Sequence, residues 1–81
     1  FNPTTVIQYR NPKIQAVQLQ IFNVLGQEVK TLVNATQGAG SYSVTWDGTD
    51  EQGRAVASGV YFARLLVDGV EEGSRKLALV K

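Results

Sequence analysis

Two short segments of the chain alternate strictly between apolar and polar residues. In residues 16–21 every second side chain is apolar, with glutamines between, and residues 41–46 repeat the pattern up to Trp46. Successive side chains of a β-strand point to opposite faces, so this alternation predicts strands with one buried and one solvated face. A helix would need a period of about 3.6 residues, which neither segment has. We therefore expect Tyr42 and Trp46 to pack inward.

The remaining strands are predicted from turn residues. Gly, Pro, Asn and Asp bound further strand-like runs at 5–9, 29–33, 60–67 and 77–80, with a tight hairpin at 25–27. We expect a loop at 34–40 and an additional short strand at 55–57. This spacing predicts an all-β fold, an Ig-like or fibronectin III-like Greek-key β-sandwich of about seven short antiparallel strands. We expect residues 1–81 to form a single domain.

One segment fits two kinds of secondary structure. Residues 26–36 are compatible with a helix, because Val29, Leu32 and Val33 have helical spacing. Val29, Thr31 and Val33 equally fit one face of a strand, and all three are β-branched. We therefore predict a strand here.

The last hairpin presents a register problem. Asp68 and Gly69 suit a two-residue type I′ turn, but uninterrupted pairing from that turn would face Tyr61 away from Leu77. A slip of one residue reverses every side chain of a strand. We therefore predict either a three-residue turn or a bulge near Gly73, each of which places Tyr61 opposite Leu77.

The 81 residues include no histidine and no cysteine. This excludes thiol nucleophiles, disulfides, Ser-His-Asp chemistry and the commonest zinc ligands. The net charge is +1 and the eight Lys and Arg are scattered, so we expect no nucleic-acid partner. No apolar run approaches the roughly 20 residues of a transmembrane helix. We expect no enzymatic activity and no cofactor, because so short a chain has little room for a deep cleft.

The stretch 47–53 is the richest in turn residues. Asp47 and Asp50, with Gly53, could wrap a calcium ion, but the bidentate acid that ends a calcium loop is missing. We predict that both carboxylates hydrogen-bond the backbone of their own turns, with a calcium loop as the alternative.

Two further groups are candidate contact sites. Phe22 and Phe62 fall on strand positions opposite the expected core, and exposed aromatic side chains can mark a binding surface. Packing against another domain and stacking of a sugar both remain open for them. Arg75, Lys76 and Lys81 form a basic end, which is either a solvated edge that discourages sheet pairing or a contact for an acidic receptor groove.

Five motifs, in order, carry a resemblance to a known family. Together they resemble the C-terminal sorting domain of type IX (Por) secretion, and the portion from 46 to 61 also resembles the Ig-like domain of flagellar hook-capping proteins. The motifs are Phe1-Asn2-Pro3-Thr4-Thr5, Val24-Leu25-Gly26-Gln27-Glu28-Val29, and the stretches 39–48, 53–62 and 76–81.

The sorting-domain resemblance implies an address for secretion. It implies export through the periplasm and outer membrane of a Gram-negative bacterium to the medium or the cell surface. The implied partners are an outer-membrane translocon, a sortase-like peptidase and N-terminal cargo domains of the same polypeptide. The residues that fall by position in the family's signal-bearing last strands are Gly59, Tyr61, Lys76, Leu77 and Lys81.

Two other functions stay open. The hook-capping resemblance implies a structural Ig-like module, either hook-cap-like or self-assembling through its edge strands. The third hypothesis is an accessory carbohydrate-binding module that uses Phe22 and Phe62.

Overall fold

The computed structural model describes residues 4–80, which form six antiparallel strands in two sheets. The strands are β1 (Thr5–Asn11), β2 (Gln15–Asn23), β3 (Glu28–Gln37), β4 (Gly40–Trp46), β5 (Gly59–Val67) and β6 (Val70–Leu79). The larger sheet has the order β3-β2-β5-β6, and the smaller sheet pairs β1 with β4. Nowhere in residues 4–80 is there a helix long and apolar enough to cross a membrane.

The core lies between the two sheets and follows from the period-two alternation. Val17, Leu19 and Ile21 of β2 are at most 1% exposed, as the alternation predicts for an inward face. Trp46 is fully buried, and its indole Nε1–H donates to the Thr49 carbonyl oxygen at 2.9 Å. The other buried apolar side chains of this core are Ile7, Tyr61, Ala63, Leu77 and Leu79.

The connections between strands carry the chain from sheet to sheet. β1 and β2 lie in different sheets, β2 and β3 form a hairpin, and β4 then returns to lie beside β1. The β1–β4 register runs from Thr5 opposite Trp46 to Asn11 opposite Gly40. The predicted all-β, Ig-like sandwich is therefore confirmed.

Two hairpin turns set the register of the larger sheet. At the first, Asn23 Oδ1 accepts from the backbone N–H groups of Leu25 and Gln27 at 3.0 Å, and Gly26 has φ +80°. At the second, Asp68 and Gly69 both have positive φ, as a type I′ turn requires. Both turns lie where the sequence predicts them.

A bulge in β6 resolves the register of the last hairpin. Val67 pairs with Val70, but Leu65 pairs with Gly73 and Leu66 with Glu71, so Glu72 is one extra residue. Beyond the bulge Tyr61 stands opposite Leu77, and the bulge predicted near Gly73 is confirmed.

The second turn allows a test of backbone geometry. Gly69 has φ +82°, so Gly69→Ala is expected to lower the free energy of unfolding by about 1–2 kcal/mol because a Cβ is strained in this conformation. Gly38 has an ordinary φ and open space around it, so Gly38→Ala is the matched control, neutral or slightly stabilising. Urea denaturation of both variants measures the difference, and equal effects would contradict this role of Gly69.

Three expectations from the sequence need correction. There are six strands between residues 4 and 80, because residues 55–57 contribute only an isolated bridge between Ala55 and Thr49. The loop predicted at 34–40 is strand up to Gln37, since Asn34 to Gln37 continue the ladder with β2. β6 begins at Val70 rather than at residue 77, because its polar first half pairs with β5 throughout.

Candidate functional site

The predicted recognition residues divide between the core and the surface. Tyr61 and Leu77 are cross-strand partners, 7% and 5% exposed, and both contribute to the core. The Tyr61 hydroxyl donates to the Ala57 carbonyl oxygen at 2.6 Å, and its ring meets the Trp46 ring edge-on at 5.1 Å. These two side chains hold the last strands in place and are not available for contact from outside.

Gly59 and Lys76 are exposed and accessible to another protein. Gly59 begins β5, and Lys76 lies opposite Phe62 on the outer face of the larger sheet. Lys81 and the opening Phe1-Asn2-Pro3 of the first motif lie outside the described residues. A recognition role for this set remains a prediction.

Phe22 and Phe62 lie side by side on the outer face of the larger sheet. They are direct cross-strand partners and both are half-buried. Val24, 67% exposed, lines the same shallow depression. We call Phe22, Val24 and Phe62 the aromatic patch.

An arginine lies over part of the aromatic patch. The guanidinium carbon of Arg64 lies 4.8 Å from the centroid of the Phe22 ring, while its Nε donates to Glu71 Oε1 at 2.7 Å. Such a cation over an aromatic face is attractive. Stacking of a sugar on this face of Phe22 would have to displace Arg64, and sugar binding by Phe22 and Phe62 remains a prediction.

Asp47 and Asp50 serve their own turns. Asp47 Oδ1 accepts from the backbone N–H and the hydroxyl of Thr49. Asp50 Oδ1 accepts from the backbone N–H groups of Gln52 and Arg54, each at 3.0 Å, and Oδ2 accepts from Arg54 Nε at 3.2 Å. The turn hydrogen bonds predicted for both carboxylates are confirmed. Within residues 4–80, no three acidic side chains cluster as a metal site would require.

These hydrogen bonds make the stability of the turns depend on pH. The side-chain hydrogen bond from Thr49 is the largest cause that lowers the pKa of Asp47, and Lys30 lowers it further. The Arg54 backbone N–H is the main cause that lowers the pKa of Asp50. Both carboxyl groups therefore have a lower pKa in the folded chain than in the unfolded chain, where it is about 3.9. Their contribution to the free energy of unfolding is fully present above the unfolded-state pKa and is lost as the pH falls through the folded-state pKa.

We expect the urea midpoint of the chain to fall as the pH is lowered below about 4. The double variant Asp47→Asn/Asp50→Asn should show a shallower fall, because its amides do not titrate. Glu72→Gln, measured in dilute solution where the chain is monomeric, is the matched control, since the Glu72 side chain makes no hydrogen bond within residues 4–80. An equally steep fall in the double variant and the control would contradict the assignment.

The turn-rich stretch also covers one edge of the larger sheet. Glu51 Oε1 accepts from the backbone N–H of Thr31 on edge strand β3 at 2.8 Å. Lys30 Nζ donates to Thr49 Oγ1 at 2.8 Å and lies 3.7 Å from Asp47 Oδ1. Sequence reasoning missed this edge cover, because Glu51 and Thr31 are 20 residues apart and no local pattern links them.

A notch opens between the sheets where β1 faces β6. Its volume is about 160 Å³, its apolar lining includes Ile7 and Leu65, and Arg75 lies on its rim. Beside it the rings of Tyr9 and Tyr42 stack with centroids 5.4 Å apart, and burial raises the pKa of Tyr9. Small-molecule pockets occupy about 300–1,000 Å³, so this notch is smaller than a typical ligand pocket. Sequence reasoning missed it, because it depends on which strands face each other across the sandwich.

Comparison with known proteins places the fold in one family. The sequence model of the FlgD Ig-like domain family matches residues 2–66. The crystal structure of FlgD from P. aeruginosa aligns with a TM-score of 0.68 and 27% sequence identity, over 91% of this chain. The chain spans only 58% of the length of that relative. No curated protein matches the sequence.

Proposed function

Because this chain belongs to the FlgD Ig-like domain family, we propose that it is a non-catalytic structural module of a larger exported bacterial protein. Its task is to pack against a neighbouring domain of the same polypeptide. The relative from P. aeruginosa supports this proposal, since 42% of its chain, 100% minus the 58% matched, lies outside the aligned domain.

The aromatic patch is the observation that carries the proposal. The outer face of the smaller sheet is lined by Gln8, Ser43, Thr45 and other mostly polar residues, with Val6 as an exposed apolar residue among them. The outer face of the larger sheet presents two half-buried phenylalanines, beside Val24 of the β2–β3 turn. Aromatic residues and arginine are enriched at protein interfaces, whereas Lys, Glu and Asp are depleted, so Arg64 over Phe22 fits such a surface. The carboxylates of the turn-rich stretch, by contrast, are engaged in structural hydrogen bonds: Asp47 and Asp50 bind their own turns, and Glu51 binds the β3 edge.

A substitution on the patch tests this role. Val24→Asp should change the stability of the isolated chain by less than about 0.5 kcal/mol, because Val24 is exposed there. In the full-length polypeptide it should separate the unfolding transition of this module from that of its neighbour, because a buried unpaired carboxylate is costly. Differential scanning calorimetry of both proteins distinguishes the two effects.

Ser43→Asp is the matched control. Ser43 is exposed on the outer face of the smaller sheet, and its replacement should leave the full-length unfolding profile unchanged. If Val24→Asp acted no differently from Ser43→Asp in the full-length protein, the patch would not be the packing surface.

A second candidate function is secretion sorting. The family match ends at residue 66, and the terminal motif that resembles type IX sorting domains, residues 76–81, lies beyond it, with residues 76–79 on β6. In this function Gly59 and Lys76 provide the accessible contacts for the translocon, and Tyr61 and Leu77 keep the strands folded. Lys81 is a further predicted contact that lies outside the described residues.

Export of a reporter fused to residues 1–81 tests the sorting function in a type IX-competent host. Lys76→Glu should reduce the exported fraction, whereas Lys13→Glu, an equal charge change on the exposed β1–β2 connection, should not. Periplasmic retention of the tagged reporter equal to that of the untagged reporter would count decisively against sorting.

A further inference from the structure

The two edges of the larger sheet differ in how they are covered. The β3 edge is covered by Glu51 and the turn-rich stretch, as described above. β6 pairs with β5 alone, and within residues 4–80 no other backbone group hydrogen-bonds to its outer edge. An open edge of this kind is a template for another strand.

The order of charged residues along β6 makes the strand complementary to an antiparallel copy of itself. Two acidic residues, Glu71 and Glu72, precede the small pair Gly73-Ser74, and two basic residues, Arg75 and Lys76, follow it. When such a strand is turned end for end, its acidic half faces its basic half. A second copy of the chain therefore presents the complementary charges to this edge.

The bulge at Glu72 brings these charges to matching faces. Glu71 lies opposite Leu66 and Lys76 opposite Phe62, and both of these β5 residues point to the outer face. In an unbulged strand, residues five apart would point to opposite faces. Because the bulge adds one residue, Glu71 and Lys76 share the outer face, as cross-strand partners must.

From these observations we infer that two copies of the chain pair through the outer edges of β6, antiparallel and about a two-fold axis at Ser74. Lys76 then lies opposite Glu71 of the second copy, and Arg75 lies opposite the bulged pair of Glu72 and Gly73. The result is a continuous eight-stranded sheet, with four ion pairs across an isologous junction.

Other registers are disfavoured by like charges. An axis at Arg75 would set two arginines opposite each other, and an axis at Glu72 would set two glutamates opposite each other. In the favoured register Glu71 can bind both Arg64 of its own chain and Lys76 of the second copy. Arg64 binds only its Oε1, which leaves Oε2 for that lysine. The charged edge thus blocks wrong pairings while it permits the symmetric one.

Sedimentation equilibrium of the 81-residue chain with two single substitutions tests the pairing. Glu72→Lys and Arg75→Glu should each weaken self-association by about tenfold or more, since each reverses two ion pairs of the dimer. An equimolar mixture of the two variants should regain the affinity of the unchanged chain, because each new charge then faces its opposite. Neither side chain makes a hydrogen bond within residues 4–80.

Lys13→Glu, a charge change on the exposed β1–β2 connection, is the charge control and should associate like the unchanged chain. The pairing would be overturned by an unchanged chain that stays monomeric up to about 1 mM, or by a mixture that associates no better than its components. Unfolded variants would not regain affinity when mixed, so recovery in the mixture also shows that both variants are folded. A negative result would leave the proposed domain packing intact, because the aromatic patch lies on the face of the sheet rather than at its edge.

Discussion

Replacing Trp46 by alanine is expected to lower the free energy of unfolding by about 3–5 kcal/mol. The side chain is fully buried, it contacts the Tyr61 ring edge-on, and its indole donates to the Thr49 carbonyl oxygen. Domains are stable by only about 5–15 kcal/mol, so this variant should be partly unfolded near 37 °C. Thermal unfolding followed by far-ultraviolet circular dichroism measures the loss, because the only tryptophan has been removed.

Trp46→Phe is the matched control. It keeps most of the apolar volume but leaves the Thr49 carbonyl without its donor, so we expect a loss of about 1–2 kcal/mol. A loss under about 1 kcal/mol in the alanine variant would show that Trp46 is not central to the core.

Replacing Leu77 by alanine is expected to cost about 2–5 kcal/mol of stability. Leu77 is 5% exposed and lies directly opposite Tyr61, so the shortened side chain leaves a cavity between β5, β6 and the smaller sheet. Urea denaturation of the isolated chain measures this effect without any secretion partner present. If the loss appears there, reduced export of a Leu77 variant is explained by unfolding rather than by a lost receptor contact.

Lys76→Ala is the control from the neighbouring position. Lys76 points to the outer face and makes no hydrogen bond within residues 4–80, so its replacement should change the stability of the monomeric chain by less than about 0.5 kcal/mol. The opposite pattern, a stable Leu77→Ala and an unstable Lys76→Ala, would contradict the strand register. The pair of variants therefore separates folding from recognition in these last strands.

Local patterns in the sequence predicted the strands that carry the core. Alternation located β2 and β4, and the turn residues located both hairpins, because these signals act between neighbours in the chain. Requiring Tyr61 and Leu77 to share the buried face predicted either a three-residue turn or a bulge near Gly73, and the structure has the bulge. The predicted end of β3 at Val33 was wrong. Residues 34–37 are mostly polar, and they stay in the strand because they pair with β2 rather than because they are buried.

Contacts between distant residues were beyond sequence reasoning. Glu51 covers the Thr31 amide, and the Tyr9–Tyr42 stack depends on the pairing of β1 with β4. The placement of Phe22 and Phe62 on the outer face was predicted, but the Arg64 guanidinium over Phe22 was not. Such contacts are set by which strands become neighbours, and the alternation of a single strand carries no information about its partner.

In the full-length protein, we expect a neighbouring domain to cover the aromatic patch. The chain contains no cysteine, so a single cysteine placed by Val24→Cys reports the accessibility of the patch to a thiol reagent. Ser43→Cys, on the outer face of the smaller sheet, is the reference. Any cysteine elsewhere in the full-length polypeptide is first replaced.

The decisive measurement is the labelling rate of each cysteine in the isolated chain and in the full-length protein. We expect similar rates for both positions in the isolated chain. In the full-length protein we expect at least about a tenfold slowing at position 24 alone, since labelling then requires the domains to separate. Equal labelling of position 24 in both proteins would contradict coverage of the aromatic patch by a neighbouring domain.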